Sequence, residues 1–488
     1  MRGDDLLCRY LLGGLRACLG LLLAGAALAE LPESVAARLR AVKLPESALS
    51  ALVMPLDGGP ARLRHQAELP VNPASTIKLL TTLAALETLG PTFTWRTGFY
   101  TDGVQQGDTL HGHLYLKGGG DPRLTYERVW QLLRELRNRG LRRIDGDLVL
   151  DRSYFQLPAS EDGDFDEQPE RAYNVAPDAL LMNFKALRFD MESDARGVQV
   201  RVEPALAGIR AGSVQRVRTG DCASWSRGWA RPQISSLSDG GLDVQLQGSF
   251  PPNCRASRYL GVLSAPDFAS QLTRSLWAEL GGEIVGSTRE ASVPPEARLL
   301  AEQLSAPLAE QIRDVNKLSN NTMARAILLT LGAERPQAGL DSQAAGQAAV
   351  QAWLASQALH FPELVLENGA GLSRTARISA EHLGQLLLAG QRSAFAPEFL
   401  ASLPIVGLDG TMRRRLNNSE VAGRARIKTG TLNDVKAIAG YLRDSAGRDW
   451  IVVGLLNHPR AEAGQAALDA LLEWAALPAN PNPETAAP

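Results

Sequence analysis

Asn72-Pro73-Ala74-Ser75-Thr76-Ile77-Lys78-Leu79-Leu80-Thr81-Thr82-Leu83-Ala84-Ala85-Leu86 is the stretch on which the reading of this 488-residue chain turns. It predicts a helix from Ser75 to about Leu89, stopped by Gly90-Pro91. Ser75 and Lys78 stand three residues apart at its start, so they share one face about one turn apart. A serine there attacks a carbonyl while the lysine takes its proton, provided burial or a neighbouring cation lowers the lysine pKa. The helix start adds free N–H groups and a positive dipole end that stabilise an oxyanion. A lone S-x-x-K is more often a serine cap beside a solvated lysine, so the pattern needs company.

Two further patterns supply it. The chain holds seven lysines, Lys43, Lys78, Lys117, Lys185, Lys317, Lys428 and Lys436, against a large excess of arginine. Lysine does what arginine cannot, namely lose a proton, and only Lys78 has a serine three residues before it. Downstream, Ser319-Asn320-Asn321 follows Asn316-Lys317 and precedes a helix expected to begin near Thr322. This S-x-N form lets a serine relay a proton and an asparagine amide hold a peptide group; alone it also reads as a polar cap. Lys428-Thr429-Gly430-Thr431 then precedes an apolar strand pair and is placed on a sheet edge. There a cation and a hydroxyl bind a carboxylate, and the glycine admits a close backbone approach.

Around these motifs the chain alternates in texture. Apolar strands are expected at 48–56 and 61–67, separated by the turn Asp57-Gly58-Gly59-Pro60. From 93 to about 285 many short β-like runs are broken by one helix at 126–139. Helical patterns return at 308–331, 344–359, 380–388 and 396–403, followed by strands at 437–442 and 450–456 and a last helix at 461–476. This order predicts an α+β catalytic domain assembled from both chain ends, 30–92 and 288–477, around a β-rich insertion at 93–287. Residues 478–488 are expected to be a disordered tail.

Taken together, the ordered set S-x-x-K, S-x-N and K-T-G is the signature of serine penicillin-recognising enzymes. With Gly118-Gly119-Gly120-Asp121-Pro122, Gly371-Leu372-Ser373-Arg374 and Leu408-Asp409-Gly410-Thr411-Met412, the chain resembles the D-alanyl-D-alanine carboxypeptidase/endopeptidase family, the class C low-molecular-mass penicillin-binding proteins of peptidase family S13. The resemblance covers most of the chain, including a long insertion between the first two motifs. It implies a penicillin-binding-protein/serine β-lactamase-like transpeptidase domain, an antiparallel sheet with helices. Ser75 would be the nucleophile and Lys78 its base, with Ser319 and Asn321 on the proton relay and substrate amide. Lys428 and Thr429 would take the terminal carboxylate, and the N–H groups of Ser75 and Thr431 the oxyanion. Arg374 and Asn433 match family positions near the cleft and are expected to help bind the substrate's charged end. Implied partners are peptidoglycan stem peptides and β-lactam inhibitors, with a homodimer and a peripheral hold on membrane or wall machinery left open. A β-lactamase-like hydrolase and a non-catalytic wall-binding scaffold remain the alternatives. Against the first stands the lack of a recognisable deacylating glutamate, which predicts slow hydrolysis of a penicillin adduct.

The start of the chain sets the compartment. Arg2, Arg9 and Arg16 precede an apolar run that ends in Ala27-Leu28-Ala29, so residues 1–29 read as a cleavable secretory signal and the protein as periplasmic. An uncleaved anchor is the other reading, and Cys18 follows Arg16 too closely for a lipidation site. Beyond residue 29 only Cys222 and Cys254 remain, and in an oxidising compartment they are expected to pair. The formal net charge is −2 and no dense basic tract stands out, which argues against nucleic-acid binding. No cofactor and no metal are expected, because His111 and His113 read as alternation on a strand. The acidic run 161–167 reads as a solvated loop, although a carboxylate there would suit the amine of a diamino acid in the wall peptide.

Overall fold

The computed structural model describes residues 30–157, 165–238 and 240–478. The signal expected at 1–29 and the tail beyond 478 lie outside these residues. Among the described residues, no helix is long and apolar enough to cross a membrane.

A five-stranded sheet carries the third motif, and both chain ends build it. Its order is Ala425–Leu432, Val435–Arg443, Asp449–Asn457, Leu49–Pro55 and Leu63–His65, with every neighbouring pair antiparallel. The central strand is buried on both faces. Ile451, Val453 and Leu455 turn to one core, while Val452 and Leu456 turn to the other. This is why 450–456 reads as an unbroken apolar run rather than an alternating one. On one side the terminal helices Glu33–Ala41 and Gln465–Ala476 pack together. On the other lies the helix Lys78–Leu89, every residue of which from Lys78 to Leu86 is buried. Its buried Thr81 and Thr82 hydroxyls donate to the Gly369 and Lys78 carbonyls, which leaves Lys78 as the one ionisable side chain in that buried stretch and one requiring partners.

Between the two halves of this sheet's sequence run four further sheets with their own core, centred on Phe99, Leu116, Leu133, Phe189, Leu246 and Phe268. Cys222 and Cys254 form a disulfide there, as expected. Two sequence expectations need correction. The border drawn at 288 falls short, because Thr288–Glu290 pairs with Leu148–Asp151 and Arg298–Leu304 pairs with Arg96–Thr101. The insertion's hydrogen-bonded framework therefore continues to Leu304. Its second helix, Ala265–Glu279, was not anticipated either. Its signals are present in the sequence: the Ser264 side chain accepts from the Asp267 N–H, and a proline occupies the first turn. Phe268, Leu272 and Leu276, four residues apart, are buried, each contributing roughly 1.5–3 kcal/mol.

The helical pattern at 308–331 is interrupted where it matters. Leu308–Leu318 and Asn321–Glu334 are separate helices, and Ser319 between them sits in the left-handed region at φ 58°. Asn320 caps the second helix, its side chain accepting from the Met323 N–H at 3.0 Å.

Candidate active site

The segment before Ser75 is held by a side chain rather than by regular structure. Asn72 Oδ1 accepts from the Ala74 N–H at 2.8 Å, and its amide donates to the Ser373 carbonyl at 2.9 Å. Ala74 is thereby kept at φ 45°, and Ala74–Ile77 form a 3-10 turn leading into the helix Lys78–Leu89. Two glycines let neighbouring segments come close. A Cβ on Gly371, at φ 75°, would lie 1.9 Å from the Ala74 carbonyl oxygen. On Gly430 it would meet the Pro73 carbonyl at 2.9 Å and the Ser75 nitrogen at 3.0 Å. Gly430 thus turns its open face to the Ser75 segment, letting the edge strand pack against it.

Beneath Ser75 lies Lys78, fully buried, with Nζ 2.8 Å from Ser75 Oγ, 2.7 Å from Asn321 Oδ1 and 2.5 Å from the Ala370 carbonyl oxygen. Two of these three partners only accept. A neutral amine donates its two protons to Asn321 and Ala370, and its lone pair then faces the Ser75 hydroxyl proton. Burial, and secondarily the Lys428 cation, hold the Lys78 pKa well below the ordinary lysine value, which favours that neutral form. Ala370 is positioned by Asn368, whose Oδ1 accepts from the Ala370 N–H at 3.0 Å and whose amide donates to the Leu372 carbonyl at 2.8 Å.

The second lysine mirrors the first. Lys428, on the edge strand Ala425–Leu432, is fully buried; its Nζ lies 2.8 Å from Ser319 Oγ and 2.7 Å from the Thr429 carbonyl. Burial lowers its pKa to about 7. The left-handed turn at Ser319 aims that hydroxyl at the strand, while the Asn321 amide donates to the Tyr173 carbonyl at 3.2 Å.

A cleft of about 730 Å³ opens over these groups. Of the residues expected from sequence, Ser75, Ser319, Asn321, Arg374, Thr429, Thr431 and Asn433 line it. Arg374 places its guanidinium 4.4 Å from the Phe165 ring centre and 3.3 Å from Asp434 Oδ1. At Asp166, the residue after Phe165, the Tyr173 hydroxyl donates to Oδ2 at 2.6 Å. Burial and that carboxylate push the Tyr173 pKa up to about 12.

The family model for the D-Ala-D-Ala carboxypeptidase 3 (S13) family matches residues 31–477. The chain belongs to this S13 family. It is 27% identical over 434 residues to the D-alanyl-D-alanine carboxypeptidase of Actinomadura sp. (strain R39), covering 87% of this chain and 80% of that one. Its fold is similar to the crystal structure of penicillin binding protein 4 (dacB) from Haemophilus influenzae, at a TM-score of 0.75 and 23% identity over 89% of this chain and 97% of that one. The Haemophilus protein complexed with a novel β-lactam also matches, at a TM-score of 0.70 and 22% identity over 90% of this chain and 99% of that one.

Several site residues of this S13 chain escaped the sequence reading. Phe165 lines the cleft, as does Asp166 of the acidic run 161–167, which reads as a solvated loop or as a carboxylate suited to a diamino-acid amine; residues 161–164 lie outside the described part. Tyr173, Leu372, Thr411, Lys436 and Glu462 also line it. No local pattern marks the Ala370 carbonyl as a lysine partner. Thr411 did have a signal, since it lies within the Leu408–Met412 motif that carried the family resemblance. Elsewhere in the S13 chain, His111 lies 2.9 Å from Asp145, and His113 accepts from the Asp147 N–H at 2.9 Å. Among the described residues, no group of three or more His, Cys, Asp or Glu is placed to hold a metal ion.

Proposed function

We propose that this chain is a periplasmic serine D-alanyl-D-alanine carboxypeptidase and DD-endopeptidase that acts on peptidoglycan stem peptides through an acyl-enzyme on Ser75 and is inhibited by β-lactams. The observation that carries the reading is the buried Lys78 Nζ, 2.8 Å from Ser75 Oγ with two acceptor oxygens for its remaining protons. Membership of the S13 family supports the substrate class.

In this reading Ser75 Oγ attacks the carbonyl carbon of the penultimate D-alanine and Lys78 takes the hydroxyl proton. The N–H groups of Ser75 and Thr431 receive the oxyanion. The proton passes through Ser319 to the leaving nitrogen, and the C–N bond breaks to release an amine and a Ser75 ester. Water then attacks the ester with Lys78 again taking the proton, the C–O bond to Ser75 breaks, and Lys78 returns the proton to Ser75 Oγ as the product acid leaves. Asn321 holds the substrate amide, Lys428 and Thr429 receive the terminal carboxylate, and Arg374 and Asn433 bind the charged end of the peptide. Asp166, which lines the cleft, would meet the amine of a diamino acid. Cleavage of a cross-link uses the same steps with a second stem peptide as the leaving amine. A secretory signal, as read at 1–29, would carry the enzyme to where that substrate lies.

The test is incubation with a labelled penicillin followed by mass mapping, together with an assay for D-alanine release. A stoichiometric adduct on Ser75, absent from Ser75→Ala, and D-alanine release that penicillin blocks are the expected results. No adduct with intact penicillin would sink the catalytic reading.

A further inference from the structure

We propose that Thr411 is a substrate-binding residue which, paired with Thr429, receives the carboxylate at the free end of the scissile peptide. The inference rests on the carboxypeptidase reading and adds a residue from a segment outside the three motifs.

Thr429 Oγ1 donates to Thr411 Oγ1 at 2.7 Å, and both residues line the cleft. The Thr429 proton is therefore spent on its neighbour, and the hydroxyl with a proton left to give is that of Thr411. Among the described residues none accepts it. A hydrogen bond to an ionised acceptor is about twice as strong as one to a neutral group, so Thr411 gives its proton to a carboxylate while Thr429 continues to hold the Thr411 oxygen.

Thr411 is held in place rather than incidentally near. Gly410, at φ 56°, lies so close to the helix end that a Cβ on it would be 2.6 Å from the Lys317 carbonyl. Asp409 accepts from the Ile405 N–H at 2.7 Å and from Lys317 Nζ at 2.5 Å. Burial, the largest single influence, would raise the Asp409 carboxyl, but the hydrogen bonds from Lys317 and the Ile405 N–H together with the Lys317 and Arg426 charges outweigh it and hold the group ionised. Its charge is thus taken up by Lys317, with Arg426 adding to the effect, and does not repel an anion at Thr411. Lys317 precedes Ser319 by two residues and Arg426 precedes Lys428 by two. The segment carrying Thr411 is therefore tied to the Ser319 turn, next to the edge strand that bears Lys428.

The test uses the full chain and two peptides identical except at the end, one a D-alanyl-D-alanine acid and the other its carboxamide. Thr411→Val is expected to lose about tenfold in kcat/KM on the acid, mainly through KM, with the carboxamide rate nearly unchanged. Thr411→Ser restores the acid rate. Equal losses on both peptides would mark a structural role and overturn the proposal, as would no loss on the acid. Binding of both peptides is also measured by calorimetry to Ser75→Ala, with and without Thr411→Val. Should wild type cleave neither peptide, the catalytic reading fails; a selective loss of acid binding then still supports Thr411, and no selective loss overturns it.

Discussion

Lys78 Nζ lies 2.7 Å from Asn321 Oδ1, joining two helices whose contacting residues are 243 positions apart. That contact sets which proton Lys78 has to offer and where its lone pair points. Asn321→Leu removes an acceptor and leaves the amine free to turn away from Ser75. The expected result is a fall of about a hundredfold in the penicillin acylation rate, with a melting temperature within a few degrees of wild type. Stopped-flow acylation and calorimetry on the same preparation check it; an unchanged rate contradicts the orientation argument.

Lys428 predicts the shape of the pH dependence. With a pKa of about 7 in the free protein, it carries its charge below that value and loses it above. KM for a carboxylate peptide is therefore expected to rise as pH climbs past about 7. At the acid side kcat/KM falls as Lys78 becomes protonated. A bell-shaped profile for the acid peptide and a flatter alkaline limb for its carboxamide are the expected pair.

The same shift has a stability consequence. Below pH 7 the folded and unfolded states both hold the Lys428 proton, and folding bears the full cost of burying the charge. Between about 7 and the ordinary lysine value of 10.5 the folded state releases the proton while the unfolded state keeps it, so stability rises with pH. Lys428→Met should therefore be more stable than wild type at pH 6, by a few kcal/mol at most, and the gap should narrow toward pH 10. Urea melts at both pH values test the sign.

Gly371 separates packing from chemistry. Gly371→Ala places a Cβ 1.9 Å from the Ala74 carbonyl at a φ of 75°, costing about 2 kcal/mol or more. Because Ala370 is the neighbouring residue, displacement also removes a Lys78 acceptor. Acylation is expected to fall further than stability explains, at a temperature where circular dichroism shows the variant folded.

The disulfide should matter to the insertion and not to the cleft. Cys222 and Cys254 are 32 residues apart, and closing a loop of that size contributes about 3–4 kcal/mol in the chain-entropy account. Cys222→Ser with Cys254→Ser is expected to lower the melting temperature and leave the penicillin acylation rate at 20 °C within about twofold. A large loss of acylation in that variant would mean that the insertion's stability reaches the cleft.

Much of the architecture was legible because local pattern and tertiary role agree. The strand Asp449–Asn457 reads as a strand because it is apolar throughout, and it is apolar because both of its faces are buried. Ala265–Glu279 carries a cap and a four-residue apolar spacing but lies among short β-like runs whose local pattern masks it. The strand Arg298–Leu304 carries no local sign of its partner, Arg96–Thr101, which lies about 200 residues upstream.

By itself the sequence determined the chemistry available: a serine and a lysine on one helical face, a second serine beside an asparagine, and a third motif before an apolar strand pair. Spacing within a helix or strand follows from its repeat, so these relations need no fold. Tertiary structure alone decided that Lys78 meets Asn321 and the Ala370 carbonyl, that Lys428 reaches Ser319, and that Thr411 lies against Thr429. Those contacts join segments that no local repeat relates. They exist because the antiparallel sheet closes across both chain ends and brings its edge strand beside the Ser75 helix, where burial of two lysines lowers both of their pKa values.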